Sequence, residues 1–250
     1  NVYPLIVGKV FSASVLGQYT RASHFSEFPS SNITQILQRV TFPVLCKIQD
    51  DTERLRIIYR RFIRVSVFVV FPLMTGLSAC AKPIISVMIG SSWEYCAVLL
   101  SIICFSMMWY PMQSINLNLL QVMGRSDLFL RLEIIKKIFG VVILCISVPM
   151  GIEAMCYGGI VSTIISLVIN TYYTGKLISC GFWVQMKDIA HILAASIFMW
   201  IVVRWVISFM DGDIVQLCSG IFVGVIIFGG FSVAFRFQEV KELIDIVRKR

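Results

Sequence analysis

The sequence predicts an all-α polytopic membrane protein, a transmembrane helical bundle of about eight spans. Of its 250 residues, 58% are apolar and only 14% are charged, and the mean hydropathy is +0.84. A chain this apolar exceeds what an ordinary water-soluble core can bury. Its apolar segments also approach the roughly 20 residues that a bilayer-crossing helix needs. Lysine and arginine concentrate in alternate connections, which is the positive-inside pattern of a multi-spanning protein.

Eight segments are predicted to cross the membrane. They are residues 1–16, 28–48, 62–81, 95–122, 132–150, 153–174, 189–209 and 213–235. We expect one transmembrane bundle, residues 1–235, followed by a basic cytoplasmic tail, residues 236–250. The basic connections are 50–61, 124–137, 175–188 and the tail, and these are expected in the cytoplasm. The connections near 21–27, 82–94, 150–153 and 209–213 are short or acidic and are expected outside. The carboxyl terminus is then cytoplasmic.

The net charge of +8 lies in short loops and the tail, where membrane orientation and anionic lipid account for it. We therefore expect no nucleic-acid partner. The eight cysteines contain no CxxC pair, and neither histidine has a spaced ligand partner, so no disulfide framework, metal site or cofactor is expected. The GxSxG, HExxH, P-loop and GxGxxG motifs are absent, and the chain is not expected to be an enzyme.

One predicted span has a polar face. In residues 28–48, the side chains on this face are Ser31, Asn32, Gln35, Gln38 and Arg39. An arginine in hydrocarbon costs at least ~2.5–3.5 kcal/mol, so Arg39 is expected to face a bundle interior or a water-filled cavity. Its guanidinium suits a phosphate or pyrophosphate group.

Two further candidates accompany this face. Lys9, in the preceding helix, is a possible second positive charge in the same cavity. Snorkelling or a structural ion pair explains both Arg39 and Lys9 as an alternative. Gln113 belongs to a polar face of residues 95–122 from which Asn116 is excluded. That face suits a sugar, although hydrogen bonds between helices explain it equally well.

The carboxylates give a third line of inference. All 14 are expected in connections, at span edges or in the tail, and none in the middle of the membrane. A pump for organic cations that is driven by protons or sodium needs a buried carboxylate. The sequence therefore favours an anionic substrate.

Several motifs carry a family resemblance. Residues 16–56 contain Leu-Gly-x-Tyr, x-Arg-Ala, Pro-Ser-Ser, Arg-Val-x-Phe-Pro and Gln-Asp-Asp-x-x-Arg-Leu, and residues 71–93 continue the pattern. This pattern resembles bacterial polysaccharide transporters of the lipopolysaccharide and colanic acid flippase type. Their superfamily also includes multidrug and toxin extruders. The resemblance implies two pseudo-symmetric bundles with about 12 to 14 spans in all, and this chain is expected to be the C-terminal half.

The resemblance also implies a function. Family members carry undecaprenyl-pyrophosphate-linked oligosaccharide repeat units across the bacterial inner membrane, for O-antigen, capsule or exopolysaccharide. Arg39 matches the Arg-Val-x-Phe-Pro motif, and Lys9 matches the Gly-Lys of the preceding helix. Expected partners are the lipid-linked substrate and the bilayer, and a polysaccharide polymerase and glycosyltransferases are candidate partners. Arg39 is expected to contact pyrophosphate, and Lys9 is expected to add to the positive field there. Asn32, Gln35 and Gln38 are candidates for binding sugar or phosphate oxygens, and Gln113 is a candidate for binding sugar.

Two other functions stay open. A multidrug or cation antiporter of the same fold would need a coupling carboxylate outside this chain. A membrane enzyme of glycan assembly, such as a polymerase, would need a large outer loop with catalytic residues. The outer connections of this chain are short.

Overall fold

The computed structural model describes residues 3–240. This part of the chain contains ten α-helices, two short 3₁₀ turns and no strand. The helices are α1 (Tyr3–Val10), α2 (Ala13–Lys47), α3 (Thr52–Ala79), α4 (Ala81–Ile89), α5 (Glu94–Met107), α6 (Tyr110–Val122), α7 (Ser126–Ser147), α8 (Ile152–Ile178), α9 (Phe182–Ile207) and α10 (Asp213–Ala234). The all-α polytopic fold is thus confirmed.

Five described stretches are long and apolar enough to cross a membrane. They are Thr52–Ala79, Ser91–Val122, Ile152–Ile178, Phe182–Ile207 and Asp213–Ala234. The predicted count of about eight spans is not confirmed. The long helices α2 and α7 fall outside this set because polar and charged residues interrupt their apolar runs.

The predicted outer connection at residues 21–27 is wrong, because α2 runs unbroken through it for 35 residues. Several buried hydroxyls of this polar helix are satisfied within the helix itself. Ser26 donates to the Ser23 carbonyl at 2.9 Å, and Thr34 donates to the Ser30 carbonyl at 2.7 Å. A polar side chain satisfied by its own helix needs no water, so such a helix can pack inside a bundle.

Two other boundaries differ from prediction. The expected outer connection at residues 82–94 contains helix α4. Lys82, in the first turn of α4, forms a 2.7 Å ion pair with Glu94 at the start of α5. The expected single span at residues 95–122 is two helices, α5 and α6. Pro111 lies in the first turn of α6, where its missing N–H and fixed φ favour a helix start.

Helix α2 runs parallel to α5 and α6. The Gln18 side chain accepts from the Cys96 backbone N–H at 3.0 Å, Ser30 donates to the Met107 carbonyl at 2.8 Å, and Gln38 donates to Ser114. These contacts relate each position on α2 to a depth in the bundle. The middle of the 94–122 stretch lies near Met107, and therefore near Ser30 of α2.

The core lies between α2, α3, α5, α6, α8 and α9, around fully buried side chains that include Tyr59, Phe71 and Met112. Residues after α10 pack on this core. Glu239 is buried and lies 3.2 Å from Arg64, and the Phe237 ring lies 4.7 Å from the His191 ring. The predicted tail therefore begins packed against the bundle, and its residues 241–250 lie outside the described residues.

Candidate transport site along helix α2

One face of α2 is an exposed stripe, which we call the α2 stripe. Its members recur every three or four residues, as one helical face requires. They are Arg21, His24, Phe28, Asn32, Gln35 and Arg39. At about 1.5 Å per residue, the stripe extends about 27 Å along the helix. The opposite face, with Ser26, Ser30 and Thr34, is buried.

Arg39 lies at membrane depth within this stripe. It follows Gln38, which is bonded to Ser114 in the C-terminal half of the 94–122 stretch. Arg39 is exposed, and no hydrogen bond or ion pair from the described residues reaches it. A guanidinium at this depth is stable only beside water, protein or a counter-ion. Arg39 lies nine residues, or about 13 Å along the helix, beyond Ser30, so both snorkelling to the membrane surface and contact with a polar group can satisfy its charge.

The predicted site residues separate into different environments. Asn32 and Gln35 are exposed beside Arg39 on the stripe, and the Asn32 amide donates to the Phe28 carbonyl at 2.8 Å. Gln38 is half-buried against α6. Gln113 is also half-buried and donates to the Thr163 carbonyl of α8 at 3.3 Å.

The structure does not bring Lys9 to Arg39. Lys9 is exposed on α1, and the adjacent Gly8 packs at Leu16, near the start of α2. From Leu16 to Arg39 the helix rises about 34 Å. A shared cavity for the two cations is therefore not formed by the described residues, and a binding role for Lys9 stays a prediction.

A carboxylate also lies at membrane depth, which corrects the inference that none does. Glu27 precedes Ser30 by three residues, or about 5 Å along the helix, and so lies close to the middle of the bundle. It lines a cavity of about 230 Å³ between α2, α5 and α8. The other lining residues are Tyr19, Ser23, Ile103, Ser106, Met107, Met155, Cys156, Gly159, Ser162 and Thr163. The sequence missed this position because residues 21–27 were interpreted as a loop.

The polar wall of the cavity is ordered by hydrogen bonds. The Ser106 and Thr163 hydroxyl oxygens lie 2.7 Å apart. The Ser106 hydroxyl also donates to the Gly159 carbonyl at 3.4 Å. Glu27 also lines a second, open cleft with Arg21, His24, Phe25, Phe28, Ser31 and Asn32. It thus connects the interior cavity to the α2 stripe.

A buried amide network joins α6, the end of α8 and the start of α9. The Gln185 amide nitrogen donates to the Cys180 carbonyl at 2.9 Å and to the Asn116 side-chain oxygen at 3.1 Å. Asn116 donates in return to Gln185 at 3.0 Å and accepts from Thr174 at 3.0 Å. Burial raises the pKa of the Cys180 thiol beside this network to about 11. Since Asn116 and Gln185 are fully buried, they hold α6, α8 and α9 together and are not available to a substrate.

Among residues 3–240, no group of three or more His, Cys, Asp or Glu side chains could hold a metal ion. The site is therefore built from a cationic and polar stripe, a carboxylate cavity and long apolar helices. These features define a polytopic membrane protein with polar groups among its long apolar helices.

The fold has a solved counterpart. A lipid II flippase, MurJ, in an inward closed conformation matches 92% of this chain and 48% of its own length, with a TM-score of 0.74 and 18% identity. This similarity confirms that the chain has the fold of part of a flippase.

The sequence relatives are consistent with this class. The family model described as "Polysaccharide biosynthesis protein" matches residues 1–98. An uncharacterized membrane protein in the cps region of Klebsiella pneumoniae is 28% identical over 68% of this chain and 36% of its own length. The succinoglycan biosynthesis transport protein ExoT of Rhizobium meliloti is 22% identical over 98% of this chain and 51% of its own.

The chain is thus a relative of the bacterial polysaccharide transporters, and the predicted resemblance is confirmed. It spans about a third to a half of the length of the curated relatives that it matches. It is a multi-pass membrane protein that is similar to proteins of polysaccharide biosynthesis.

Proposed function

We propose that this chain forms part of a flippase for undecaprenyl-pyrophosphate-linked oligosaccharide repeat units. The cargo would cross the inner membrane for O-antigen, capsule or exopolysaccharide synthesis, with the carboxyl terminus of the chain in the cytoplasm. A polysaccharide polymerase and glycosyltransferases would act before and after it. Members of the matched class, which include a polysaccharide transport protein and a lipid II flippase, support this proposal.

Arg39 is the observation that carries the proposal. It is exposed at membrane depth, has no described partner, and is flanked on the stripe by the amides of Asn32 and Gln35. A guanidinium with free donors binds phosphate oxygens in a bidentate manner, and amides bind sugar hydroxyls. The stripe would therefore hold the polar head group, while the polyprenyl chain stays in lipid.

Cells that lack their own flippase would test the proposal. The full-length protein is expressed with its matched glycan, and the lipid-linked repeat unit that reaches the periplasmic face is measured. Because hydrogen bonds to charged groups contribute about 1.5–3 kcal/mol, Arg39→Ala should reduce export by about tenfold to a hundredfold. Arg54→Ala is the matched control, since Arg54 is exposed at the start of α3, away from the stripe, and should change export less than about twofold.

Two outcomes would count against the proposal. Normal export by a well-inserted Arg39→Ala protein would remove Arg39 from the cargo path. No export by a correctly inserted parent protein would remove the flippase function itself.

A cation antiporter of the same fold is the second candidate, and Glu27 favours it. This carboxylate lies at membrane depth in a polar cavity, as a site for a cationic substrate requires. Export of cationic dyes that depends on Glu27 and not on Arg39 would support the antiporter over the flippase.

A further inference from the structure

We infer that a groove between α3, α4, α9 and α10 binds one membrane phospholipid whose head group carries both a phosphate and a primary ammonium. The phosphate would lie between Lys82 and Arg204, the ammonium at Asp213, and one acyl chain in the groove. No residue of α2 lines this region, so it is separate from the candidate transport site. The inference is therefore independent of the cargo.

The groove is an apolar hollow on the surface of the bundle. Its volume is about 520 Å³, and its walls are apolar side chains and glycines, among them Leu73, Met199 and Phe228. Gly224 and Gly229 line it on α10, and a Cβ at Gly229 would meet nothing within 4 Å. Because these positions have no side chain, α10 forms one wall of a hollow there instead of filling it.

The length of the groove matches one leaflet of a bilayer. On α10 it extends from Gly220 to Gly229, which is nine residues or about 13 Å. The hydrocarbon core of a bilayer is about 30 Å thick, so one leaflet contributes about 15 Å. The groove therefore fits an acyl chain of a single leaflet and is too short for a long polyprenyl chain.

A polar cleft of about 400 Å³ continues the groove at the end of the bundle where α9 ends and α10 begins. Ala79 lines the cleft, and the adjacent Cys80 lines the groove. Asp213 lines the cleft and precedes Gly220 by seven residues, or about 10 Å along the helix. A lipid whose chain lies in the groove would therefore place its head group in this cleft.

The cleft contains two cations and a carboxylate that can form further hydrogen bonds. Arg204 is exposed and makes no hydrogen bond or ion pair with the described residues. Lys82 is paired with Glu94 at 2.7 Å, and its ammonium has two further donors. One carboxylate oxygen of Asp213 accepts from the Ser86 hydroxyl, and the other oxygen is left for a ligand.

These charges distinguish between phospholipid head groups. The guanidinium of Arg204 and the ammonium of Lys82 bind phosphate oxygens. The carboxylate of Asp213 accepts a charge-assisted hydrogen bond from a primary ammonium, whereas a quaternary ammonium has no N–H and a glycerol head group has no positive charge. The cleft should therefore prefer phosphatidylethanolamine to phosphatidylcholine and to phosphatidylglycerol.

Helix α10 has a physical reason to hold a lipid. Of the five described stretches that could cross a membrane, it has the smallest buried share, 11%. A lipid in the groove would contact α10 together with α3 and α9, and so add packing where the protein supplies little. Because a ligand that binds only the folded state stabilises it, the bound lipid should raise the melting temperature, by about 2–5 °C when saturating.

Native mass spectrometry of the purified full-length protein in detergent tests the inference. Wild type should retain one phosphatidylethanolamine, with an affinity about fivefold above that for phosphatidylglycerol or phosphatidylcholine. Gly224→Leu, whose side chain would occupy the groove, should lose this lipid and the thermal stabilisation that it gives. Gly230→Leu is the matched control, because it adds the same side chain to α10 outside the groove, and it should retain both.

Two variants of the cleft test the head group. Asp213→Asn removes the charge at nearly constant shape, so it should reduce the preference for phosphatidylethanolamine over phosphatidylglycerol to less than about twofold. Arg204→Ala should weaken the binding of both lipids by about fivefold. Arg54→Ala, at the opposite end of α3, is the control and should change neither value.

Three results would overturn the inference. Equal lipid retention by wild type and Gly224→Leu would show that the groove holds no lipid in the full-length protein. Equal affinities for the three phospholipids would show that only unspecific boundary lipid is bound. Tighter binding of a polyprenyl phosphate than of phosphatidylethanolamine, lost in Gly224→Leu, would assign the groove to the cargo. If Gly224→Leu fails to fold, Gly229→Leu replaces it, since its Cβ meets nothing within 4 Å.

Discussion

The buried amide network makes an asymmetric prediction for two residues that bond to each other. Leucine at Asn116 removes the donor to the Gln185 side-chain oxygen, which has no other hydrogen bond among the described residues. Leucine at Gln185 leaves the closer neighbours with a partner and removes one long contact, the 3.5 Å hydrogen bond to the Tyr59 hydroxyl. Asn116 keeps the Met112 carbonyl at 2.7 Å and the Thr174 hydroxyl at 3.0 Å, and the Cys180 carbonyl keeps Thr174 at 3.2 Å.

The two substitutions should therefore lower the free energy of unfolding by different amounts. Hydrogen bonds within membrane proteins contribute about 0.6 kcal/mol on average and about 1.7 kcal/mol at most. A buried acceptor left unsatisfied costs about 1–3 kcal/mol more. Gln185→Leu should then lower the free energy of unfolding by about 1–2 kcal/mol, and Asn116→Leu by about 2–4 kcal/mol.

Reversible unfolding of the full-length protein in mixed micelles, followed by tryptophan fluorescence, measures these differences. The double variant should cost less than the sum of the single ones, because the second leucine removes the unsatisfied group that the first one created. The network would be refuted if Gln185→Leu lowered the free energy of unfolding as much as Asn116→Leu or more. It would also be refuted if the effects of the two substitutions were strictly additive.

Two further predictions concern packing and orientation. A Cβ at Gly220 in α10 would lie 2.7 Å and 2.8 Å from buried side-chain atoms, so Gly220→Ala should destabilise by about 1–3 kcal/mol. Gly229→Ala, with nothing within 4 Å of its Cβ, should be neutral or stabilising in the same unfolding assay, and a reversed order would contradict the packing. In a background without exposed cysteines, an impermeant thiol reagent outside the cell should label Asp211→Cys and not Ser126→Cys, because basic connections stay inside. The native Cys180 thiol, buried and with a raised pKa, should stay unlabelled, and labelling of Ser126→Cys from outside would invert the topology.

The apolar composition predicted the fold class, because a chain with 58% apolar and 14% charged residues exceeds what an ordinary water-soluble core can bury. The connections at 150–153 and 209–213 were also predicted, and glycines with positive φ mark both, at Gly151 and Gly212. A helix end of this kind needs a residue without a Cβ, and the sequence displays it.

Helix α2 was predicted only in part, because hydropathy describes a helix surrounded by lipid. Residues 13–30 are too polar for that environment, yet Ser26 satisfies itself within the helix and Ser30 bonds to α5. A single sequence does not show which distant carbonyl a serine will meet. For the same reason Asn116 was set aside as the residue off the polar face, although its partner Gln185, 69 positions away, makes it a centre of the network.

Two charged groups of α2, Arg39 and Glu27, lie in similar surroundings. Arg39 and Glu27 both lie at membrane depth without a described partner, on one helix whose buried face is held to α5 and α6 by hydroxyl and amide hydrogen bonds. These hydrogen bonds hold the exposed face of α2 in a fixed position relative to the rest of the bundle. Loosening the attachment, for example by Ser30→Ala, should therefore lower the transport rate of a protein that still folds and inserts normally. Loss of folding together with transport would indicate that Ser30 acts only in folding.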